Sequence, residues 1–136
     1  MSTSMQSESL SHMKYKTKDK FYDSPKWLRL RASALRRDNY EDVYAKRYGK
    51  VKAAELVHHI FPKDEFPEYA YALWNLISVS TSTHNSFHDR DTDELTETGR
   101  LLLVRTARKQ GVEIPVKYAS PTEKKEKPFR KDWYTY

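Results

Sequence analysis

The chain has 136 residues, of which 32% are charged and 38% hydrophobic, and its formal net charge is +6. That length allows one domain with room for tails, and that apolar content allows only a small core. There is no cysteine, which excludes disulfides and thiolate metal sites, and no apolar run of about 18 residues, which excludes a membrane-spanning helix. The basic balance favours a polyanionic partner, although a ribosome-associated or membrane-surface protein would share it. The Ser/Thr-rich N-terminus lacks an apolar h-region, so no secretory signal is expected and the expected compartment is cytoplasmic.

Residues 1–20 read as a disordered tail, Ser/Thr-rich and then lysine-rich. Its Lys14, Lys16, Lys18 and Lys20 either make loose phosphate contacts or are simply solvated, and His12 is given no role. Ser24 as N-cap and Pro25 at the first helical position predict a helix from Pro25 to about Arg37. At helical spacing Trp27, Leu28, Leu30, Ala34 and Leu35 form its apolar face. Arg31 falls inside that arc, where it either snorkels to the rim or pairs with an acid or a phosphate.

The stretch 41–54 is ambiguous; Val43, Tyr44 and Tyr48 are spaced for a short helix that Gly49 would end. Residues 56–60 read as a strand. Pro62 and Pro67 bracket an acidic loop, residues 68–73 suit a helical turn, and Asn75 to Val79 reads as a second strand. The cluster Ser80-Thr81-Ser82-Thr83 offers N-caps for a helix carrying His84 and His88 to about Arg90. A polar run, Asp89 to Glu94, follows. A final helix is expected from about Thr96 to Gln110, stopping at Gly111, with the isolated Gly99 an awkward residue near its start. Residues 112–136 read as a basic and aromatic arm, whose end from Phe129 to Tyr136 either stacks on bases or pins the tail onto the domain.

Four of the five histidines form two pairs, His58 with His59 and His84 with His88. Neighbours on a strand point to opposite faces, so one imidazole of the first pair can face a metal while the other faces a substrate. A lone strand histidine is usually structural, but an i, i+4 pair on a helix sets both rings on one face at a metal-ligand spacing. The combination is more specific than either pair. A strand with His-His, a loop, a strand with Asn and a helix with His-x-x-x-His describe a β-hairpin packed on a helix with a metal between them.

Leu56-Val57-His58-His59-Ile60, Asn75-Leu76-Ile77-Ser78-Val79 and Thr83-His84-Asn85-Ser86-Phe87-His88 together resemble the HNH endonuclease motif, the ββα-metal or His-Me finger. The lead-in, Phe21 to Trp27 followed by Leu35 to Tyr40, resembles that of small phage HNH proteins, so the resemblance spans roughly residues 21–90. It implies an α+β fold: a ββα-metal finger with flanking helices in a nuclease domain of residues 21–111. It implies that His59 is the general base that activates water, that His58, His84 and His88 are the metal ligands, and that Asn75 braces the loop between the strands.

Two departures from the family pattern stand out. Many members bind a structural zinc through paired Cys-x-x-Cys motifs; here Asp42 and Ala45, then Ser80 and Thr83, occupy those positions. The structural zinc should be absent, with apolar packing by Val43, Tyr44 and Leu76 in its place. The first ligand, often aspartate, is His58. Three imidazoles favour Zn2+, Ni2+ or Co2+ over Mg2+, although the family works with several ions, Mg2+ and Mn2+ among them.

The resemblance thus implies one divalent metal ion and DNA as the partner, with hydrolysis leaving 5′-phosphate and 3′-hydroxyl ends. Phage proteins of this kind often accompany DNA-packaging machinery, so a terminase partner and the cytoplasm of a bacterial host are implied as well. A catalytic arginine is expected among Arg31, Arg36, Arg37 and Arg90. The alternatives are a non-catalytic DNA-binding module with a structural metal finger, and cleavage of RNA. The sequence leaves oligomeric state open.

Overall fold

A computed structural model describes residues 19–120. The expected tail up to residue 18 and the expected arm from residue 121 lie outside the described residues. Two strands, β1 (Leu56–His59) and β2 (Leu76–Val79), pair antiparallel with His58 opposite Ile77 and His59 opposite Leu76. Among the described residues four α-helices surround them: α1 (Pro25–Arg37), α2 (Val43–Arg47), α3 (Thr81–Phe87) and α4 (Glu97–Gln110). No helix among the described residues is long and apolar enough to cross a membrane.

The hairpin is the middle layer. Because side chains alternate across a strand, Leu76 joins Trp27 and Ala34 of α1 on one face. Ile77 and Val79 join Phe87 of α3 and Leu102, Leu103 and Ala107 of α4 on the other. Helix α1 has the expected bounds, and the Trp27 N–H donates to Ser24 Oγ at 3.2 Å. Its apolar face is narrower than expected, with Trp27, Ala34 and Leu35 buried but Leu28 49% exposed.

The outer edge of β2 is closed by side chains rather than by a third strand. Arg37 donates to the carbonyls of Leu73 (2.9 Å) and Leu76 (2.6 Å). The next outward-facing groups, Ser78 N–H and Ser80 N–H, donate to the carboxylates of Asp38 (3.1 Å) and Asp42 (2.9 Å). An open strand edge is a template for unwanted pairing, and charged side chains are one way of blocking it.

The expectation that a helix carries both His84 and His88 is corrected. Helix α3 ends at Phe87; His88 is extended (φ −127°, ψ 142°) and bridges Leu95. The cause lies in the next residues. Asp89 accepts from the N–H groups of Asp91 and Thr92 at 2.8 and 3.1 Å, and its own N–H donates to Glu94 O at 2.7 Å. Such short-range side-chain bonds offer the backbone a turn in place of another helical turn.

Helix α4 starts one residue after Thr96, its N-cap, and stops at Gly111 in the left-handed region (φ 72°). The awkward Gly99 has a packing reason: a Cβ there would lie 2.6 Å from the Phe87 carbonyl oxygen, so glycine lets α4 close on the end of α3. Beyond Gly111 the chain stays against the domain as far as residue 120. Val112 N–H donates to Ala107 O, Arg100 donates to Tyr118 O at 2.7 Å, and Tyr118 is buried.

Candidate metal and catalytic site

The alternation of β1 sends its two histidines opposite ways. His58, 3% exposed, faces α3, its ring 4.6 Å from that of Phe87. There it meets His84 from α3 and His88 from the bridge beyond it, with ring centroids 5.0–5.3 Å apart. Each of the three offers a nitrogen, and these nitrogens all lie within 4.8 Å of one another. Although His88 lies outside the helix, the His88–Leu95 bridge keeps it beside His84.

The electrostatics of this cluster suit a cation. Burial, and then its histidine neighbours, hold the His58 imidazole well below its ordinary value, and burial lowers His84 too. A metal ligand must be the neutral imidazole. Nε2 of His58 and Nδ1 of His88 are buried without a hydrogen-bond partner among the described residues. Buried polar atoms are rarely left so unless they serve something else. Three convergent imidazole nitrogens, two of them without a hydrogen-bond partner among the described residues, fit a divalent transition ion.

His59 turns to the α1 side. Its ring stacks on Trp27 (centroids 5.0 Å, planes 26° apart) and packs against Phe21 and Tyr22. Its Nε2 lies 3.0 Å from the Ala70 carbonyl oxygen. A carbonyl only accepts, so Nε2 carries the proton and Nδ1 is left as the acceptor. Burial lowers the His59 pKa despite that carbonyl, and the nearby Lys63 ammonium adds to the effect. Both effects favour the neutral imidazole of His59.

Asn75, fully buried, ties the loop between the strands to the start of β2. Its Oδ1 accepts from Phe61 N–H at 2.7 Å, and its Nδ2 donates to the carbonyls of Phe61 (3.1 Å) and Tyr69 (3.2 Å). Phe61 lies two residues beyond His59, and Tyr69 immediately precedes Ala70, whose carbonyl fixes the His59 ring. All four histidines line one cleft of about 500 Å3.

The four arginines singled out from the sequence are not in this cleft, and no arginine among the described residues lines it. Arg37 is committed to the β2 edge and to Asp38, at 2.8 Å. The cation that lines the cleft is Lys63. Burial pulls its ammonium down, but hydrogen bonds to Asp19 (2.6 Å) and Asp64 (2.8 Å) outweigh that and hold it well above the ordinary lysine value. Sequence reasoning missed Lys63 because it looked for arginine and took residues 63–66 as an acidic loop.

The segments that carry cysteine pairs elsewhere are joined here by hydrogen bonds. Asp42, fully buried, accepts from Ala45 N–H (2.8 Å), Ser80 N–H (2.9 Å) and the Ser80 hydroxyl (2.8 Å). Val43 and Tyr44 do pack against the core, but Leu76 packs on the opposite face, so apolar contact is not the direct tie.

No protein-family profile and no curated protein sequence matches the chain. Among solved structures, the HNH endonuclease of the deep-sea thermophilic bacteriophage GVE2, crystallised with manganese ion, matches with 32% identity. The match covers 48% of this chain and 71% of that one, with a TM-score of 0.47. Identity at that level across most of the relative decides the family. The chain belongs to the HNH endonucleases. The residues expected to form the motif lie at His58 and His59 on β1, Asn75 just before β2 and His84 on α3, with His88 on the bridge that follows. This HNH finger is an α+β fold whose chain, lacking cysteine, has no thiolate zinc site.

Proposed function

We propose that the protein is a metal-dependent DNA endonuclease of the HNH type, phage-encoded like its relative. The observation that carries this reading is the division of labour on β1. His58 contributes a buried, unpartnered nitrogen to a three-histidine cluster, while His59 keeps a free acceptor nitrogen on the other side of the strand.

His58, His84 and His88 would hold the ion, which when bound would supply positive charge to offset the negative charge that develops in the transition state. Nδ1 of His59 takes a proton from water as the water oxygen attacks phosphorus. The bond from phosphorus to the 3′-oxygen breaks, the departing oxygen takes a proton from solvent water, and the fragments carry a 5′-phosphate and a 3′-hydroxyl while His59 later returns its proton to solvent. The Ala70 carbonyl holds the His59 ring in the tautomer that can accept, and the imidazolium that forms can still donate to it. Asn75 acts by position, fixing the loop on which that carbonyl stands.

The ion is one of Zn2+, Ni2+, Mn2+ or Mg2+. The three-imidazole donor set favours the first two on affinity, and the relative was crystallised with manganese. The test is cleavage of supercoiled plasmid with each ion, then with chelator, by wild type and by His59→Ala. Nicking or linearisation that chelator abolishes, and that His59→Ala loses while still binding metal, supports the reading. Full cleavage by His59→Ala removes it as the base. DNA binding without cleavage under any ion would favour a non-catalytic module, and matched single-stranded substrates separate DNA from RNA.

A further inference from the structure

The cleft presents an electrostatic problem for a nuclease. Its lining includes the carboxylates of Asp19, Asp64, Glu65, Asp93 and Glu94, all of which repel a phosphodiester. Glu65 and Glu94 are paired with Lys117, at 2.9 and 3.4 Å, on the rim. Among the described residues, the single lysine or arginine in the cleft lining is Lys63. Resting on the nuclease reading above, we propose that Lys63 is a further catalytic residue, its ammonium binding a non-bridging oxygen of the scissile phosphate beside His59.

The geometry supports this in three ways. Lys63 Nζ lies 4.9 Å from the Phe21 ring centroid and 5.3 Å from that of Tyr22. Both rings also pack against His59, at 5.7 and 6.3 Å, so ammonium and base share one aromatic wall. Lys63 follows Pro62, and Phe61 before it is pinned on both backbone groups by Asn75, so the brace that serves His59 also positions Lys63. Finally, the two carboxylates on Lys63 are unequally exposed: the Lys63 side chain is 11% exposed, Asp19 45% and Asp64 89%. An exposed carboxylate contributes little to such a pair. A phosphate oxygen can replace it while Asp19 continues to hold the ammonium. A cation already desolvated and oriented interacts more strongly with charge developing on the phosphate than a mobile surface lysine does.

The experiment compares wild type, Lys63→Met, Lys63→Arg and Asp64→Asn in full-length protein. It reads plasmid cleavage under Mn2+, Mn2+ affinity by calorimetry and the melting temperature. Lys63→Met should lower kcat/KM by about a hundred- to a thousandfold, the range for removing one preorganised electrostatic contact, with Mn2+ affinity unchanged. Lys63→Arg should restore much of the loss. Asp64→Asn removes the competitor, so it should lower KM and leave the melting temperature unchanged. Wild-type kcat and KM in a folded Lys63→Met would overturn the proposal. If Lys63→Met does not fold, an unchanged or raised KM in Asp64→Asn overturns it instead. Both comparisons require an active wild type; a wild type inert under every ion overturns the nuclease reading on which the role rests.

Discussion

The Asp42 carboxylate accepts two hydrogen bonds from Ser80, one from its N–H at 2.9 Å and one from its hydroxyl at 2.8 Å. The same Ser80 oxygen accepts from Thr83 N–H at 3.3 Å and so caps α3, while Asp42 caps α2 through Ala45 N–H. One carboxylate therefore joins the start of α2, the end of β2 and the start of the helix that carries His84. The tie between these segments is made of hydrogen bonds to one buried carboxylate.

Removing that carboxylate leaves the N–H groups of Ser80 and Ala45 buried without their acceptor. Asp42→Ala should destabilise the fold by about 2–4 kcal/mol, the cost of breaking a buried charged hydrogen-bond set from one side. The check is the midpoint of urea unfolding in the presence of chelator, which separates the effect from metal binding. A loss below about 0.5 kcal/mol, the level of an ordinary surface change, would show that the tie is not structural.

The same carboxylate sets an acid limit. Burial alone pushes Asp42 up, but the hydrogen bonds from Ala45, Thr83 and Ser80 outweigh it and hold the carboxyl below its ordinary value. A folded-state pKa below the unfolded one means that the unfolded chain binds the proton first. The stability from Asp42 is therefore fully present above the ordinary carboxylate value and lost as pH falls through the lower folded value. Unfolding midpoints measured from pH 6 downward should fall most steeply below about pH 4. In Asp42→Asn that part of the slope should vanish, with lower stability at neutral pH.

Metal should stabilise the fold as well as activate it. An ion that binds the folded cluster and not the unfolded chain adds about 2.7 kcal/mol at a hundredfold excess over its dissociation constant. Melting temperature should rise with Zn2+, Ni2+ or Mn2+ and return to its starting value with chelator. His88→Ala should weaken the shift and the calorimetric affinity together. Because His88 lies at a backbone bridge outside α3, its removal should leave the helix intact by circular dichroism. Unchanged affinity in His88→Ala would leave His58 and His84 to bind without it.

The architecture was legible where local chemistry decides the outcome. Ser24-Pro25 opened α1 where expected, and α4 began within one residue of the expected Thr96 and ended at Gly111. The period of β1 separated His58 from His59. The misreadings arose where distant groups compete. The Asp89 turn overrode the helical spacing of His84 and His88, since i, i+4 spacing carries no information about where a helix stops. Arg37 looked catalytic by type, but the free edge of β2 claims it, a demand that appears only once the hairpin is folded. Asp42 and Ser80 were found at the zinc positions, yet their mutual bonding depends on a contact spanning 38 residues.

Asn75 tests how closely the fold and the chemistry are joined. Asn75→Asp is nearly isosteric and keeps the acceptor for Phe61 N–H, but it sets a carboxylate oxygen against the carbonyls of Phe61 and Tyr69 in place of a donor. An ionised carboxylate cannot donate, so the loop must either open or force the new group to bind a proton. The expected cost is about 3 kcal/mol or more at pH 7, the level for an unpaired buried charge, and it should diminish in acid as the carboxyl becomes a donor again. Cleavage should fall through kcat while Mn2+ affinity stays near wild type, because the histidine cluster lies on the other face of β1 from the His59 ring. A variant that loses metal affinity in proportion to activity would instead place Asn75 in the support of the histidine cluster.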